Sequence, residues 1–318
     1  MTPYAADLQA VRAAAARLAP WIHKTPVATC ATLDRLAGRS LFFKCENLQK
    51  TGAFKFRGAS NAVLKLPAEV AAAGVVTHSS GNHAQALALA AKLRGIPAHI
   101  VMPRTAAAVK RRAVLEYGAR IIDCEPNQAA REATAAAVLA ETGGTLIHPY
   151  NNPDIIAGQG TVALELCEQV PGLDAVVAPV GGGGLVAGIG VTLRELAPAM
   201  RFFAAEPNGA DDAARSKAAG TLILQTSPNT IADGLLTSLG ELTWPIVRDR
   251  VERVLTVSED EIVVAMRFLW ERAKFLIEPS SAVVLAAVLS DAFRNLPGLK
   301  RVGIVLSGGN ADLDQLPW

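Results

Sequence analysis

The segment "GVVTHSSGNHAQALALAAKLRGIPAHIVMP", residues 74–103, decides the fold. A β-branched run ends at Ser79-Ser80-Gly81, an alanine- and leucine-rich helical stretch follows, Gly95 stops it, and a second apolar run ends at Pro103. Two short apolar runs joined by a helix-forming stretch read as parallel strands with a crossover helix.

The same unit repeats in both directions. A helix over 107–118 leads to the strand "ARIIDCE" (119–125). After residue 150, a helix over 155–169 precedes "DAVVAPV" (174–180), four glycines and a helix over 185–196. "RFFAAE" (201–206), "VERVLTV" (251–257), a helix over 258–275, "SSAVVLAAVLSDAF" (280–293) and "RVGIVLSGGN" (301–310) complete that half. Upstream lie an alanine-rich helix over 6–19, ended by Pro20, a strand over 40–46 and a helix opening in 53–65. The expectation is an α/β protein of two open parallel-sheet units, with ligands bound at the carboxyl ends of the strands between them. Four loops take that position: Ser79–His83, Gly181–Gly184, Glu206–Asp212 and Ser307–Asn310.

Composition narrows the function. The 318 residues are 51% hydrophobic and carry 31 basic against 29 acidic side chains, well mixed, which gives no electrostatic footprint for nucleic acid. Cys30, Cys45, Cys124 and Cys167 form no CxxC pair and no zinc spacing, which fits a reducing cytoplasm. The uncharged run 175–193 contains Pro179 and six glycines, so it reads as strand, loop and helix, not as a membrane span.

"APVGGGGLVAG" (178–188) is the strongest single motif. Glycines between a strand and a helix let bare backbone amides wrap a phosphate at the positive helix end. The same stretch fits a dinucleotide fingerprint through Gly182, Gly184 and Ala187, with Glu206 placed as a ribose ligand, so a nicotinamide oxidoreductase competes. "THSSGNHAQA" (77–86) reads equally as a helix cap or as an anion nest for a substrate carboxylate. In "AAEPNGADD" (204–212), carboxylates near a backbone carbonyl suit a hard cation, although acidic loops are more often simply solvated. In "KTGAFKFRGA" (50–59), the period-two alternation argues for a solvated Lys55, and a reactive amine needs apolar walls.

Taken in order, "KTGAFKFRGA", "THSSGNHAQALALAAKLRGIPAHIVMP", "HPYNNPDIIAGQGT", "PVGGGGLVAG", "AEPNGADD", "TIADGL" and "LSGGN" resemble the fold-type II pyridoxal-phosphate (PLP) enzymes of the serine/threonine dehydratase and serine racemase group. The resemblance covers nearly the whole chain. It implies a tryptophan synthase β-like architecture of two open twisted parallel-sheet domains, a large one from 1–68 and 152–318 and a small one from 69–151, with the active site in the cleft. It implies that Lys55 carries PLP as a Schiff base, flanked by Phe54 and Phe56, and that Gly181, Gly182, Gly183 and Gly184 hold the phosphate. Asn82 would meet the ring 3-hydroxyl and Ser307 the pyridine nitrogen. A neutral serine there leaves the ring a weaker electron sink, which favours rapid loss of a β-substituent.

The implied reaction is β-elimination of a β-hydroxy amino acid such as L-threonine or L-serine to a 2-oxo acid and ammonia, with Lys55 as general base. Ser79, Asn82 and His83 would hold the substrate carboxylate, with Ser80 also contacting the substrate. Ser80 matches the racemase serine on the opposite side of the substrate, so serine racemisation is the alternative. Arg131 and Thr237 match positions near the β-substituent, where an arginine suits 3-hydroxyaspartate; phenylserine is a further candidate. Tyr150 follows the bacterial threonine-dehydratase pattern, and Ala53 stands where the family usually has serine. Glu206, the Ala210 carbonyl and Asp212 match a divalent-cation site for Mg²⁺, Ca²⁺ or Mn²⁺. Lys50, Thr51, Gln85 and Tyr117 match positions that contact ATP as an activator. The family also implies a cytoplasmic homodimer. A small-ligand-binding α/β module without catalysis is the reading outside enzymes, poorly served by a lysine at the Schiff-base position.

Overall fold

The computed structural model of the chain describes residues 4–106 and 108–318, and only the backbone at Gln128. Ala107 of the expected helix lies outside the described residues. The opening stretch holds α1 (Leu8–Leu18), β1 (Val27–Ala28), α2 (Ala31–Ala37), β2 (Ser40–Cys45), α3 (Lys55–Lys65) and α4 (Ala68–Ala71). The alternating segment supplies β3 (Val75–His78), α5 (Asn82–Arg94), β4 (Ala98–Pro103), α6 (Ala108–Glu116), β5 (Arg120–Cys124), α7 (Gln128–Thr142) and β6 (Thr145–Leu146). There follow α8 (Pro153–Gln169), β7 (Ala175–Pro179), α9 (Gly184–Leu196), β8 (Arg201–Pro207), α10 (Asp212–Ala219) and α11 (Trp244–Arg250). The chain closes with β9 (Arg253–Val257), α12 (Glu259–Phe268), α13 (Pro279–Leu289), α14 (Asp291–Arg294) and β10 (Arg301–Leu306).

These strands form two sheets. One has the order β5-β4-β3-β6 and is parallel throughout. The other has the order β1-β2-β10-β7-β8-β9 and is parallel except at its edge, where β1 pairs antiparallel with β2 through Val27 and Lys44. That edge departs from the all-parallel expectation for a simple reason. The short link through α2 falls below the roughly dozen residues a parallel crossover needs.

Burial explains why the strands read as continuous apolar runs. In β7, Ala175 and Val177 pack with α12 and α13, whereas Val176 and Ala178 pack with α8 and α9. Helices therefore cover both faces of the larger sheet, and β7 is buried at every position. The smaller sheet is covered the same way: Val75, Ile100 and Met102 lie against α3 and α5, and Val76 and Val101 against α7.

Helix ends follow local chemistry. Asn152 accepts from the Asp154 and Ile155 amides ahead of Pro153, and Ser258 with Glu261 closes a reciprocal capping box on α12. The expected helix over 258–275 stops being α-helical at Phe268 and continues as a π turn, Leu269–Ala273, which Lys274 ends at φ 62°. The apolar stretch 280–293 is helical but breaks at Ser290, whose hydroxyl donates to the Ala287 carbonyl at 2.7 Å and replaces the helical pattern.

Candidate active site

Lys55 is placed by two segments that lie far apart in sequence. The Phe54 amide donates to the Ser307 carbonyl at 3.0 Å and the Gly309 amide to the Gly52 carbonyl at 2.8 Å, around an antiparallel bridge between Ala53 and Gly308. Asn310 Nδ2 donates to the Thr51 carbonyl at 2.8 Å, and a Cβ on Gly52 would stand 2.5 Å from Asn310 Oδ1, so only glycine fits beside it. Ala53 is fully buried in this bridge and does not line the cavity, so the serine-to-alanine departure does not alter the substrate's walls. The bridge also delays the helix expected from residue 53, which begins at Lys55.

Two residues on, Arg57 anchors the other side of α3. Its guanidinium is fully buried and pairs with Glu46 and with Glu165, each at 2.7 Å, while Lys44 Nζ reaches Glu165 at 2.5 Å. These four charges, three of them fully buried and Glu165 at the edge, sum to zero and tie α3 to β2 and α8. Every charged group keeps a partner, the condition under which such burial is tolerated.

Lys55 Nζ donates to the Pro149 carbonyl at 3.0 Å and lies 5.2 Å from the Phe54 ring centre. Burial lowers its pKa from 10.5 to about 8, against the opposing pull of Glu278. The expected second wall is absent: Phe56 points into the core, where Lys50 lies over its ring at 5.9 Å. Successive residues at a helix start face different directions, so the two phenylalanines cannot flank one amine.

The amine opens onto a cavity of about 220 Å³. Ser79 and Ser80 line it from the loop after β3, Asn82 and His83 from the first turn of α5, Arg131 from α7, and Thr237 and Ser307 from the larger half, together with Gly181–Gly184. Gly81 is the cap of α5 and no side chain closes that helix end, so the capping reading of "THSSGNH" fails. Ser79 Oγ only accepts a long bond, 3.4 Å, from the Gly81 amide. Gly183, at φ 85°, likewise caps α9 with no side-chain bond. A Cβ on Gly182 would meet the Tyr150 ring at 2.3 Å, so packing from behind also demands glycine there. Two helix N-termini thus converge on one cavity beside a buried amine, an arrangement suited to two anionic groups.

Other polar groups are preset. Asn82 Nδ2 donates to Glu278 Oε1 and Asn82 Oδ1 accepts from Asn310 Nδ2, both at 2.8 Å. Burial, reinforced by Asp233, pushes the Glu278 carboxyl up to about 7. His83 Nε2 meets the Ile147 carbonyl at 3.1 Å, which makes it the donor and leaves Nδ1 a buried acceptor without a partner. Burial holds His83 well below its ordinary pKa, and burial next to His78 and Lys55 takes His148 to about 4. Burial raises the Tyr150 hydroxyl above its ordinary pKa, against a lowering influence from Thr237.

Residues 18–308 match the profile described as pyridoxal-phosphate dependent enzyme. The chain belongs to that family. Among its PLP-dependent relatives, a serine racemase of Arabidopsis thaliana is 57% identical over 316 residues, covering 98% of this chain and 96% of that protein. A beta-hydroxyaspartate dehydratase of Paracoccus denitrificans is 54% identical over 308 residues, covering 96% of each. The solved structure of maize serine racemase superposes with a TM-score of 0.97 at 52% identity, covering 98% of this chain and 95% of that one.

The cavity of this PLP-family chain fits the cofactor on its own chemistry. It offers a neutralisable amine, an uncapped glycine-loop helix for a phosphate, and a polar rim of Asn82 and Ser307. The nicotinamide reading is withdrawn along with the fingerprint. Glu206 is fully buried away from the cavity and accepts from the Ala213 and Ala214 amides, at 3.3 and 2.6 Å. Asp212 Oδ2 accepts from the Leu239 amide at 2.9 Å. Burial lifts the Glu206 carboxyl to about 9 and that of Asp212 to about 6, and repulsion from neighbouring carboxylates adds to both. Among the described residues no group of three or more histidine, cysteine or acidic side chains gathers as a cation cage, so a cation here would rest on these two carboxyls and backbone oxygen.

Sequence reasoning missed Glu278, Pro149, Lys110 and Asp233. The only local signal for Glu278 was Pro279 at the start of α13, which marks a helix boundary and nothing about a cavity.

Proposed function

We propose that this chain is a PLP-dependent enzyme that racemises and β-eliminates serine-type amino acids, in preference to the threonine-type dehydratase that Tyr150 suggested. The observation that carries this reading is the uncapped first turn of α5 beside the buried Lys55 amine, with Ser80 in the same wall. A substrate carboxylate seats against the α5 amides. Lys55, able to shed its proton near neutral pH, takes the α-proton. Ser80 supplies the second acid–base group that racemisation needs. PLP, when bound, would withdraw electrons from the α-carbon. The relatives named as serine racemases support the choice of chemistry.

A second reading concerns substrate charge. Arg131 Nε is buried in this structure without a hydrogen-bond partner, which suits a β-carboxylate as in 3-hydroxyaspartate. The Paracoccus relative supports it.

The same proposal includes a divalent cation at Glu206, Ala210 and Asp212, ATP as an activator near Lys50, Thr51, Gln85 and Tyr117, and a cytoplasmic homodimer. Four unpaired cysteines support the compartment. No helix among the described residues is long and apolar enough to cross a membrane. The deciding experiment is a panel of L- and D-serine, L-threonine and 3-hydroxyaspartate, scored for 2-oxo acid and for the opposite enantiomer. Threonine turnover about tenfold above the others, with no enantiomer formed, overturns the proposal.

A further inference from the structure

Lys55 is not the only amine facing the cavity. Lys110, on α6, and Asp233, in the 3-10 turn Asp233–Leu235, both line it and form an ion pair with each other. The partners come from opposite halves. α6 packs against α5 and β5 of the smaller sheet. The Asp233 turn is fixed to the larger half, since the Gly234 amide donates to Ser280 Oγ at 2.9 Å and a Cβ on Gly181 would stand 3.0 Å from Leu235 Cα. Arg131 lies in the first turn of α7, on the Lys110 side, with its Nε buried and unsatisfied.

The cavity wall thus holds three cationic side chains, Lys55, Lys110 and Arg131, and two carboxyls, Asp233, which already occupies Lys110, and Glu278, which is held by Asn82. A carboxylate on a bound substrate would be the chemical equal of Asp233, competing for Lys110 while being repelled by Asp233. We propose that Asp233 is a specificity-determining residue: by occupying Lys110 it biases the cavity toward substrates with an uncharged β-substituent and against those carrying a second carboxylate. Lys110 is the cation whose availability sets that bias. This rests on the reading above, that the cavity takes amino acids on PLP.

A charge a few ångströms from a bound group in a partly screened cavity is worth about a tenfold change in binding. The holoenzyme and its Asp233→Asn, Lys110→Met and doubly substituted forms are titrated by calorimetry with malonate and with acetate, and assayed with L-serine and 3-hydroxyaspartate. Asp233→Asn is expected to raise the malonate-to-acetate affinity ratio, and the 3-hydroxyaspartate-to-serine ratio of kcat/KM, by about tenfold. Lys110→Met is expected to lower both ratios, and the double form to return near the starting values. If both single substitutions move the ratios in the same direction, or leave them unchanged, the pair is a mechanical tie between the halves and the inference is overturned. The malonate and acetate titration reads charge selectivity even if the chain turns over neither amino acid. Failure of the functional reading is thereby separated from failure of this one.

Discussion

Lys55 Nζ rests on the carbonyl oxygen of Pro149 at 3.0 Å, a single neutral acceptor at the edge of the cavity. One acceptor does not replace an ammonium ion's hydration, which is why burial brings this amine to about 8. Only the neutral amine attacks an aldehyde. The rate of PLP uptake by the apo-protein is therefore expected to rise about tenfold per pH unit below that value and to level off above it. The check is visible absorbance followed at a series of pH values, with Lys55→Ala as a blank that gains no band. A rise continuing toward the ordinary lysine range contradicts the buried environment.

Ser80→Ala is expected to remove most racemisation and spare β-elimination, because elimination uses one acid–base group for the α-proton and racemisation uses two. The ratio of D-serine to pyruvate formed from L-serine should fall about a hundredfold, in line with the usual worth of one positioned acid–base group. Equal losses in both products would assign Ser80 to substrate binding alone.

Arg57→Ala leaves Glu46 and Glu165 facing each other with Lys44 alone to compensate. Removing one partner from such a buried network costs about 3–5 kcal/mol. The shift in urea unfolding midpoint measures it. A loss below about 1 kcal/mol, the range of solvated pairs, would mean that water reaches the network.

Glu206 and Asp212 have carboxyls raised to about 9 and about 6, so the folded chain holds protons there more tightly than the unfolded chain does. Without a cation, that contribution to stability is complete in acid and is lost as pH climbs through those values. A divalent cation competes with the same protons. Mg²⁺ at about a hundred times its dissociation constant adds about 2.7 kcal/mol, or about 5 °C in Tm, under alkaline conditions, and less in mild acid. Glu206→Gln should abolish the response in a thermal-melt series with Mg²⁺ and chelator. A response of equal size in that variant refutes the assignment.

Much of the site was legible as a set of loops. The glycine run, the "SSGNH" turn and the "SGGN" turn each follow a strand, and the strand–helix alternation brings strand ends to one edge. Their chemistry is local: a bare backbone, a short polar side chain, a helix start. Glu278 and Asp233 were not legible. A carboxylate beside a proline or a glycine looks the same in sequence whether it faces water or a cavity. The period-two pattern at Phe54–Arg57 pointed the wrong way because strand and helix starts share short alternations, and only the Ala53–Gly308 bridge shows where the helix begins.

By itself the sequence determined the order of strands and helices and the glycine loop, and it singled out Lys55 as the candidate amine, since these depend on neighbours along the chain. The tertiary structure alone decided that the Lys55 amine is drawn out of bulk water onto Pro149, that Phe56 turns away from it, and that Lys110 meets Asp233 across the cavity. Burial and charge pairing depend on which segments meet in space, and solvent is excluded only once both sheets and their helices are packed.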